Sequence, residues 1–394
     1  MKAKLATAAF AGIIFVGIQV PAEEKSTGTG GMEVLHSTLT NKTQNTRNNA
    51  TDKSKINAGI RGKSSKIEDS GVTNKNSEMQ NIANQGSKIN SGVNIESAKI
   101  SGSELSNSDI KSLNRALSGS TINSGINIEN SEMSDSEISN VNSKVTNSAA
   151  GKSTINSGVE VKGSKVSGST VENLNSNVTN IARGKSSINS GISVKDSNIM
   201  KSDVTNYNTN VRNAAQGGSK INSGIKVDKS TLMAADIDNT NRKVTNNASG
   251  KSEINSGVEL KGSTLAKTKI YSSNSGVNNT AQGGSKINSG VKVKDSKMSG
   301  SAIMSHISST TNTAVGKSKI NSGVSASKSQ VDSTNMFNSN QGVVNTASQQ
   351  SKVNSGIKLK QVKVQGAKLN NQNTGNVSTA TEQSESNTGI SLGD

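Results

Sequence analysis

The amino-acid sequence predicts an all-β protein, a parallel β-solenoid of ten 33-residue repeats. The phrase Ile-Asn-Ser-Gly recurs at a fixed interval, and inward-type and outward-type side chains alternate around it. The chain is also poor in large apolar residues, with 29% hydrophobic and 1% aromatic residues. A fixed period of this length is typical of solenoids and repeat arrays.

The repeat is defined by the aliphatic residue that opens the phrase. Successive copies are 33 residues apart, with no insertion or deletion. These residues are Ile56, Ile89, Ile122, Ile155, Ile188, Ile221, Ile254, Ile287, Ile320 and Val353. An unfolded linker has no physical reason to keep such a register, so we favour an ordered array over a flexible repeat polymer.

Within one repeat the side chains alternate with a period of two. Residues 145–155 place Val, Asn, Ala, Gly, Ser and Ile at every second position, which is strand geometry. Asn156-Ser157-Gly158 is a turn signal, and Val159 and Val161 indicate a second short strand. The segment from about 172 to 177 is interpreted as a variable corner. Ankyrin repeats share the period, but they need Leu- and Ala-rich helices that this composition does not provide.

Two further columns recur in every copy. Stacked strands lie about 4.8 Å apart, so an Asn can pass a side-chain hydrogen bond to its counterpart in the next turn. The predicted stacking ladder is Asn48, Asn81, Asn114, Asn147, Asn180, Asn213, Asn246, Asn279, Asn312 and Asn345. Glycine is expected where the backbone needs a positive φ or packs closely at a turn. These turn residues are Gly59, Gly92, Gly125, Gly158, Gly191, Gly224, Gly257, Gly290, Gly323 and Gly356. Because the two halves of a repeat differ, we expect one broad turn of several short strands per repeat.

The ends of the chain differ from the array. Residues 1–22 carry Lys2 and Lys4 before an apolar stretch and are predicted to be a secretory signal peptide, rather than an uncleaved anchor. Residues 23–45 form a polar N-terminal segment, 46–372 the ten-copy array, and 373–394 a polar C-terminal tail. We therefore expect a secreted protein, extracellular or on the surface of a bacterium. A Gram-negative source is favoured, because no wall-anchor sorting motif is found.

The chain is strongly basic, with a formal net charge of +17. One column just before the repeated aliphatic residue forms a basic face: Lys55, Lys88, Lys220, Lys286, Lys319 and Lys352. Such a column can simply keep the surface solvated and prevent lateral sheet contacts. It can also attract acidic polysaccharide, lipopolysaccharide or extracellular DNA.

We find no motif for catalysis or for a cofactor. There is no Cys, and His36 and His306 do not recur in the repeat, so we expect both to be surface residues. No phosphate-binding loop, metal-ligand spacing or nucleophile motif is present. The expectation is therefore a chain that is not an enzyme, with no cofactor, no metal and no small-molecule substrate.

Two stretches resemble known families. Residues 98–110, Ala-Lys-Ile-Ser-Gly-Ser-Glu-Leu-Ser-Asn-Ser-Asp-Ile, resemble pentapeptide repeats, which place a small residue two before an aliphatic one. Residues 145–161 resemble the Asn-x-Ala and Gly-rich repeats of bacterial functional amyloids of the curli and Fap type. That resemblance implies exported subunits that stack as β-turns into biofilm fibres.

Two functions remain open. The first is a self-assembling fibre subunit of the extracellular matrix, whose partners are its own copies and an export machinery. The second is a monomeric surface adhesin that uses the basic face to bind acidic polysaccharide or DNA. Ice binding is disfavoured, because outward Thr residues do not form regular columns.

Overall fold

The computed structural model describes residues 14–15, 33–35 and 38–393. This part of the chain is a parallel β-solenoid, and the predicted all-β fold class is confirmed. Each turn takes 33 residues and contains five short strands, and each strand pairs in parallel with its counterparts one turn away, as Ile155 does with Ile188. The stack has about eleven turns rather than the ten predicted. No helix in the described residues is long and apolar enough to cross a bilayer.

Sheet 1 carries the predicted Asn column on its inward face. Its strands are Arg47–Ala50, Gln80–Ala83, Leu113–Ala116, Thr146–Ala150, Thr179–Arg183, Arg212–Gln216, Thr245–Ser249, Asn278–Gln282, Thr311–Val315, Val344–Ser348 and Val377–Ala380.

Sheet 2 carries the repeated aliphatic residue. Its strands are Lys55–Asn57, Lys88–Asn90, Thr121–Asn123, Thr154–Asn156, Ser187–Asn189, Lys220–Asn222, Glu253–Asn255, Lys286–Asn288, Lys319–Asn321, Lys352–Asn354 and Glu385–Asn387.

Sheet 3 follows the glycine of the phrase. Its strands are Ile60–Lys63, Val93–Glu96, Ile126–Glu129, Val159–Lys162, Ile192–Lys195, Ile225–Asp228, Val258–Lys261, Val291–Lys294, Val324–Ser327, Ile357–Lys360 and Ile390–Gly393.

Sheet 4 is built from three-residue strands. They are Glu33–Leu35, Lys66–Glu68, Lys99–Ser101, Glu132–Ser134, Lys165–Ser167, Asn198–Met200, Thr231–Met233, Thr264–Ala266, Lys297–Ser299, Gln330–Asp332 and Lys363–Gln365.

Sheet 5 is the widest, and nearly all its strands have seven residues. They are Ile14–Phe15, Thr38–Gln44, Gly71–Ser77, Glu104–Ile110, Glu137–Ser143, Thr170–Ser176, Asp203–Thr209, Asp236–Arg242, Lys269–Ser275, Ala302–Ser308, Asn335–Gln341 and Lys368–Thr374. The residues interpreted as a variable corner, about 172–177, therefore belong mainly to a strand. Asn173 and Asn175 alternate with the more variable outward residues Glu172 and Leu174, which concealed the strand pattern.

The interior divides into an aliphatic part and a part lined by amides. Sheets 3 and 4 and the start of sheet 5 supply the aliphatic part, represented in one turn by Val159, Val161, Val166 and Val171. The rest of the interior holds small clusters such as Ala149 with Ile155, and between them lie buried asparagines. Since like residues stack on like, each column is continuous along the axis.

The solenoid extends beyond the predicted array boundaries. Glu33–Leu35 and Thr38–Gln44 lie within the predicted polar N-terminal segment, and the predicted tail contributes three strands, ending with Ile390–Gly393. Strand pairing uses backbone groups, so a turn can continue where the side-chain pattern fades. Of the predicted signal peptide, only Ile14–Phe15 is described, and it pairs with Thr40–Asn41. The rest of residues 1–22 lies outside the described residues.

Candidate functional site: the amide ladders and the ends of the stack

The predicted stacking ladder lies on the buried face of sheet 1. Each Asn donates its side-chain Nδ2 to Oδ1 of the Asn one turn later, as Asn147 does to Asn180 at 2.9 Å. The nine links measure 2.8 to 2.9 Å. Asn345, the last member, donates to Ser378 Oγ at 3.3 Å. The ladder therefore has a direction, with donors facing the C-terminal end.

The serine of the repeated phrase connects this ladder to sheet 5. Asn147 Nδ2 also donates to Ser157 Oγ at 2.7 Å. The backbone carbonyl oxygen of Ser157 accepts two amide hydrogen bonds, from Asn140 and Asn142, both at 2.8 Å. This network satisfies polar groups that would otherwise be costly to bury, and it explains why Asn-Ser-Gly varies so little between turns.

Two ladders on sheet 5 were missed in the sequence analysis. One begins at Asn41 and the other includes Asn142, and both donate toward the C-terminal end, as in the 2.6 Å bond from Asn41 to Asn74. The members joined in unbroken runs are Asn41, Asn74, Asn107, Asn140, Asn173, Asn206 and Asn239 in one column, and Asn142, Asn175, Asn208, Asn241 and Asn274 in the other. The sequence signal for both ladders is that their Asn residues recur at intervals of 33 positions.

A further ladder uses the Asn of the repeated phrase and runs in the opposite direction. Asn90 donates to Asn57 at 2.7 Å, and the pattern continues to Asn387, which donates to Asn354 at 2.7 Å. The sequence predicts this Asn only as a turn residue. Its ladder leaves a donor at the N-terminal end of the stack and an acceptor at the C-terminal end.

The ten predicted turn glycines are required by close approach and not by a positive φ. A Cβ placed on Gly158 would lie 2.8 Å from the backbone nitrogen of Gly191 and closer still to the Gly191 carbonyl oxygen. None of the ten has a left-handed φ, whereas the other corners use left-handed residues such as Lys152, with φ 65°. Gly389 occupies the same column in the last turn, and a Cβ there would meet nothing within 4 Å.

The predicted basic face consists of outward residues at the start of sheet 2 strands. Lys286, Lys319 and Lys352 follow one another in register. Glu253 lies between Lys220 and Lys286, at 3.7 and 3.1 Å. The remaining members, Lys55 and Lys88, pair in register near the N-terminal end.

Another group of cations, which shares Lys220 with the basic face, is exposed on sheets 1 and 2 and the corner that joins them. We call it the cationic band: Arg115, Lys152, Arg183, Lys185, Arg212 and Lys220. The four segments that carry it, 113–123, 146–156, 179–189 and 212–222, contain no Asp or Glu. His306 is on the outward side of sheet 5, and His36 lies outside the described residues.

The C-terminal edge is formed by the last strand of each sheet, from Lys363–Gln365 to Ile390–Gly393. Apolar side chains are exposed there: Val364 by 45%, Ile390 by 46% and Leu392 by 69%. In the inner turns, their counterparts on sheets 3 and 4 are buried. The solenoid interior is thus open at this edge.

One buried carboxyl group stands out among the amides. Asp109 accepts a hydrogen bond from Asn76 at 2.5 Å, and burial raises its pKa to about 7. It is a single member of one column and does not recur. Within the described residues, no group of three or more His, Asp or Glu side chains is placed to hold a metal ion.

Comparisons with known proteins assign no family to this chain. No protein-family model matches the chain, and no curated protein matches it in sequence. Of what the curli, Fap and pentapeptide-repeat resemblances imply, only a β-solenoid built from repeats is therefore supported. The periplasmic alginate epimerase AlgG is 11% identical, with 86% of this chain and 75% of that chain covered and a TM-score of 0.25. The Streptococcus pneumoniae surface protein and adhesin PfbA is 10% identical, with 93% and 92% covered and a TM-score of 0.19.

The expectation that the chain is not an enzyme is corrected by this comparison. The structures found include an enzyme, the alginate epimerase AlgG. At this low TM-score, the likeness assigns no activity, substrate or catalytic residue to the present chain.

Proposed function

We propose that the chain is a secreted structural protein whose copies stack end to end into a fibre of the extracellular matrix, as in a biofilm. The observation that carries this proposal is the C-terminal edge. Val364, Ile390 and Leu392, whose counterparts in inner turns are buried, expose apolar surface there, and within the described residues the last strand of each sheet is paired on one side only. An open edge of this kind is a template for pairing with another chain.

The amide ladders support a defined direction of stacking. On sheet 5 their last described members are Asn371 and Asn373, whose Nδ2 groups donate to Thr388 O. Asn41 begins one of these columns at the other end, where Ile14–Phe15 pairs with its strand, and its Oδ1 would serve as an acceptor for a second copy in a chain without residues 1–22. The opposite ladder leaves Asn387 Oδ1 at the C-terminal edge and Asn57 Nδ2 at the N-terminal edge. When a second copy adds head to tail, Asn371 Nδ2 therefore faces Asn41 Oδ1 and Asn387 Oδ1 faces Asn57 Nδ2, whereas the counterpart of Asn373 is Thr43.

The charges at the two ends also match. Lys352 contacts Glu385 at 2.6 Å, and this hydrogen bond lowers the pKa of the Glu385 carboxyl. Lys55 of a following copy takes the next position in that column. The resulting Lys–Glu–Lys sequence repeats the arrangement of Lys220, Glu253 and Lys286 within the chain.

Apolar burial alone is a modest driving force for this junction. Full burial of one such side chain contributes about 1.5–3 kcal/mol, whereas association costs about 4–15 kcal/mol in lost freedom. The three edge side chains, Val364, Ile390 and Leu392, are already partly covered. Backbone pairing along five strands and the amide bonds are therefore needed as well, which favours a strict register over loose hydrophobic contact.

Gly389→Ala tests the proposal. Its Cβ meets nothing in the single chain, but in the stack Gly59 of the next copy occupies the position that Gly389 itself holds above Gly356. We expect an unchanged unfolding midpoint and a loss of filaments in electron microscopy, together with loss of seeded elongation. The purified chain should be compared with and without residues 1–22, because Ile14–Phe15 covers part of the N-terminal edge.

Thr379→Ala is the matched control, since Thr379 is exposed in the same last turn. It should elongate like the parent chain. If the parent chain stays monomeric at high concentration, or if Gly389→Ala filaments grow at the parental rate, end-to-end stacking in this register is wrong.

A second candidate function is binding of an anionic polymer by the basic face. The observation that favours it is the uninterrupted run of Lys286, Lys319 and Lys352 in register. Cations at the spacing of one turn form a continuous positive stripe, and binding to such a stripe falls steeply with salt.

Replacing these three lysines by Gln tests this candidate. We expect weaker binding to DNA or an acidic polysaccharide and a smaller salt dependence. The exposed lysines Lys201, Lys229 and Lys267, changed in the same way, are the control for net charge. Equal binding by both triple variants would show that the stripe is not the binding site.

A further inference from the structure

The outward face of sheet 5 has a composition unlike the rest of this basic chain. Between residues 104 and 242 its five strands carry exposed or half-buried carboxylates and only one cation, Arg242. The carboxylates are Glu104, Glu137, Glu172, Asp203, Asp236 and Asp238. Asp109 belongs to the same strands but faces inward and is buried. Each of the five turns thus presents at least one negative charge on this face.

An apolar stripe runs beside these carboxylates. Val141, Leu174 and Tyr207 follow one another in register on the outward side of the same strands. All three are half-buried. We call the stripe and the six carboxylates together the sheet 5 patch.

We propose that the sheet 5 patch docks laterally against the cationic band of a second copy of this chain. The two surfaces have opposite charge, and both repeat at the axial spacing of one turn, about 4.8 Å. Both copies have the same spacing between turns. The cations of a second copy can therefore lie opposite these carboxylates over several successive turns. This inference deepens the proposed fibre function, since it makes fibres associate side by side.

The size of the patch indicates when the contact forms. Five turns span about 24 Å along the axis, and seven residues span about 23 Å across, which gives about 550 Å². A stable pairwise interface buries about 800 Å² per partner. A single pair of monomers is therefore expected to associate weakly, whereas a fibre presents the patch once per subunit and gains avidity.

Beads coated with the protein test the contact without requiring fibres. All variants carry Gly389→Ala, which blocks end-to-end stacking, so that the outcome does not depend on the proposed fibre. In one variant Glu104, Glu137, Asp203 and Asp236 are replaced by Lys. In another, Arg115, Lys152, Lys185 and Lys220 are replaced by Glu.

Beads with the unreversed surfaces should clump at 0.01 M salt and disperse at 1 M, as the screening length falls from about 30 to about 3 Å. Each reversed variant alone should clump about tenfold less, since its two surfaces now repel. A mixture of the two reversed variants should clump again. Circular dichroism checks that each variant keeps its β-structure.

The control reverses Glu96, Glu132, Asp196 and Asp332, which lie outside sheet 5 and give the same change in net charge. It should clump like the unreversed protein. The lateral contact would be wrong if the reversed variants clump as much as the unreversed protein, or if the mixture of the two reversed variants does not clump. It would also be wrong if nuclease treatment abolishes clumping. Loss after nuclease would assign the cationic band to bridging nucleic acid instead.

Discussion

Asn76 donates its side-chain amide to a carboxyl oxygen of Asp109, 2.5 Å away in the next turn. Asp109 stands where most turns have Asn, and it is fully buried. Its other oxygen, Oδ2, and Oδ1 of Asn142 both lack a hydrogen-bond partner. A proton on Oδ2 would join these two acceptors and continue the ladder. The neutral acid therefore fits this position, and burial raises the pKa of Asp109 to about 7.

Asp109→Asn should stabilise the protein at pH 8. In the unfolded chain the carboxyl loses its proton near pH 3.8, but in the folded chain only near pH 7. Between these values the unfolded state binds fewer protons, so the stability of the parent falls as pH rises and then levels off. At about 1.36 kcal/mol per pKa unit, the loss approaches 4 kcal/mol.

Urea unfolding at pH 4 and pH 8 measures this effect. The parent should lose stability between the two values, and Asp109→Asn should largely remove that loss, since Asn donates without titrating. Glu104→Gln, on the exposed side of the same strand, should leave the pH dependence as it is. Identical pH profiles for the parent and Asp109→Asn would contradict the neutral buried acid.

Asn147→Ala tests the contribution of the sheet 1 ladder. The change leaves Asn180 Oδ1 and Ser157 Oγ without their donor in a buried site. An unsatisfied buried polar group costs about 1–3 kcal/mol, so a loss of about 3 kcal/mol in stability is expected. Asn198→Ala, on the exposed face of sheet 4, should change stability by less than about 0.5 kcal/mol. Equal losses in chemical denaturation would mean that the ladder adds nothing specific.

The stacking arrangement was predictable because periodicity translates directly into contact. A residue that recurs every 33 positions pairs with its own counterpart, as Ile155 pairs with Ile188. The division of each turn into five strands was harder to predict from the sequence. Asn173 and Asn175 recur in their columns, but the variable outward residues between them hid the strand. Their role as hydrogen-bond donors to the serine of the repeated phrase could not be predicted, because it depends on sheet 5 facing that serine across the interior.

The glycine column and the ends of the stack show what periodicity does not specify. The 33-residue periodicity shows that Gly158 is constrained. A close approach between backbones and a positive φ both favour glycine, however, and only the coordinates show that close approach is the cause. Left-handed corners are occupied by residues such as Lys152 and Asp196, which a search for glycine overlooks. The last turn was missed because Ser386 replaces the repeated aliphatic residue while the backbone pairing continues.

Ala234→Gly should stabilise the protein. Ala234 is exposed at a corner with φ 51°, where a Cβ costs roughly 1–2 kcal/mol relative to the right-handed region. Glycine removes this strain but adds freedom to the unfolded chain, so a net gain of about 0.5–1 kcal/mol remains. Ala302→Gly, in a strand of sheet 5, should instead lose about 0.5–1 kcal/mol. Changes of the same sign in thermal unfolding would contradict the assignment of strain to Ala234.

Gly158→Ala should be severely destabilising, whereas Gly389→Ala in the same column should not. At Gly158 the new methyl group would overlap the backbone of Gly191, and neither backbone can move without breaking its pairing with adjacent turns. Overpacking a rigid site costs about 1–3 kcal/mol and sometimes more, and we expect the upper end here. At Gly389 a Cβ meets no atom of the described residues within 4 Å, so the methyl group has room. Unfolding of both variants as monomers, at a concentration below filament formation, measures the difference. Similar losses at the two positions would mean that local backbone preference, and not contact between turns, selects glycine in this column.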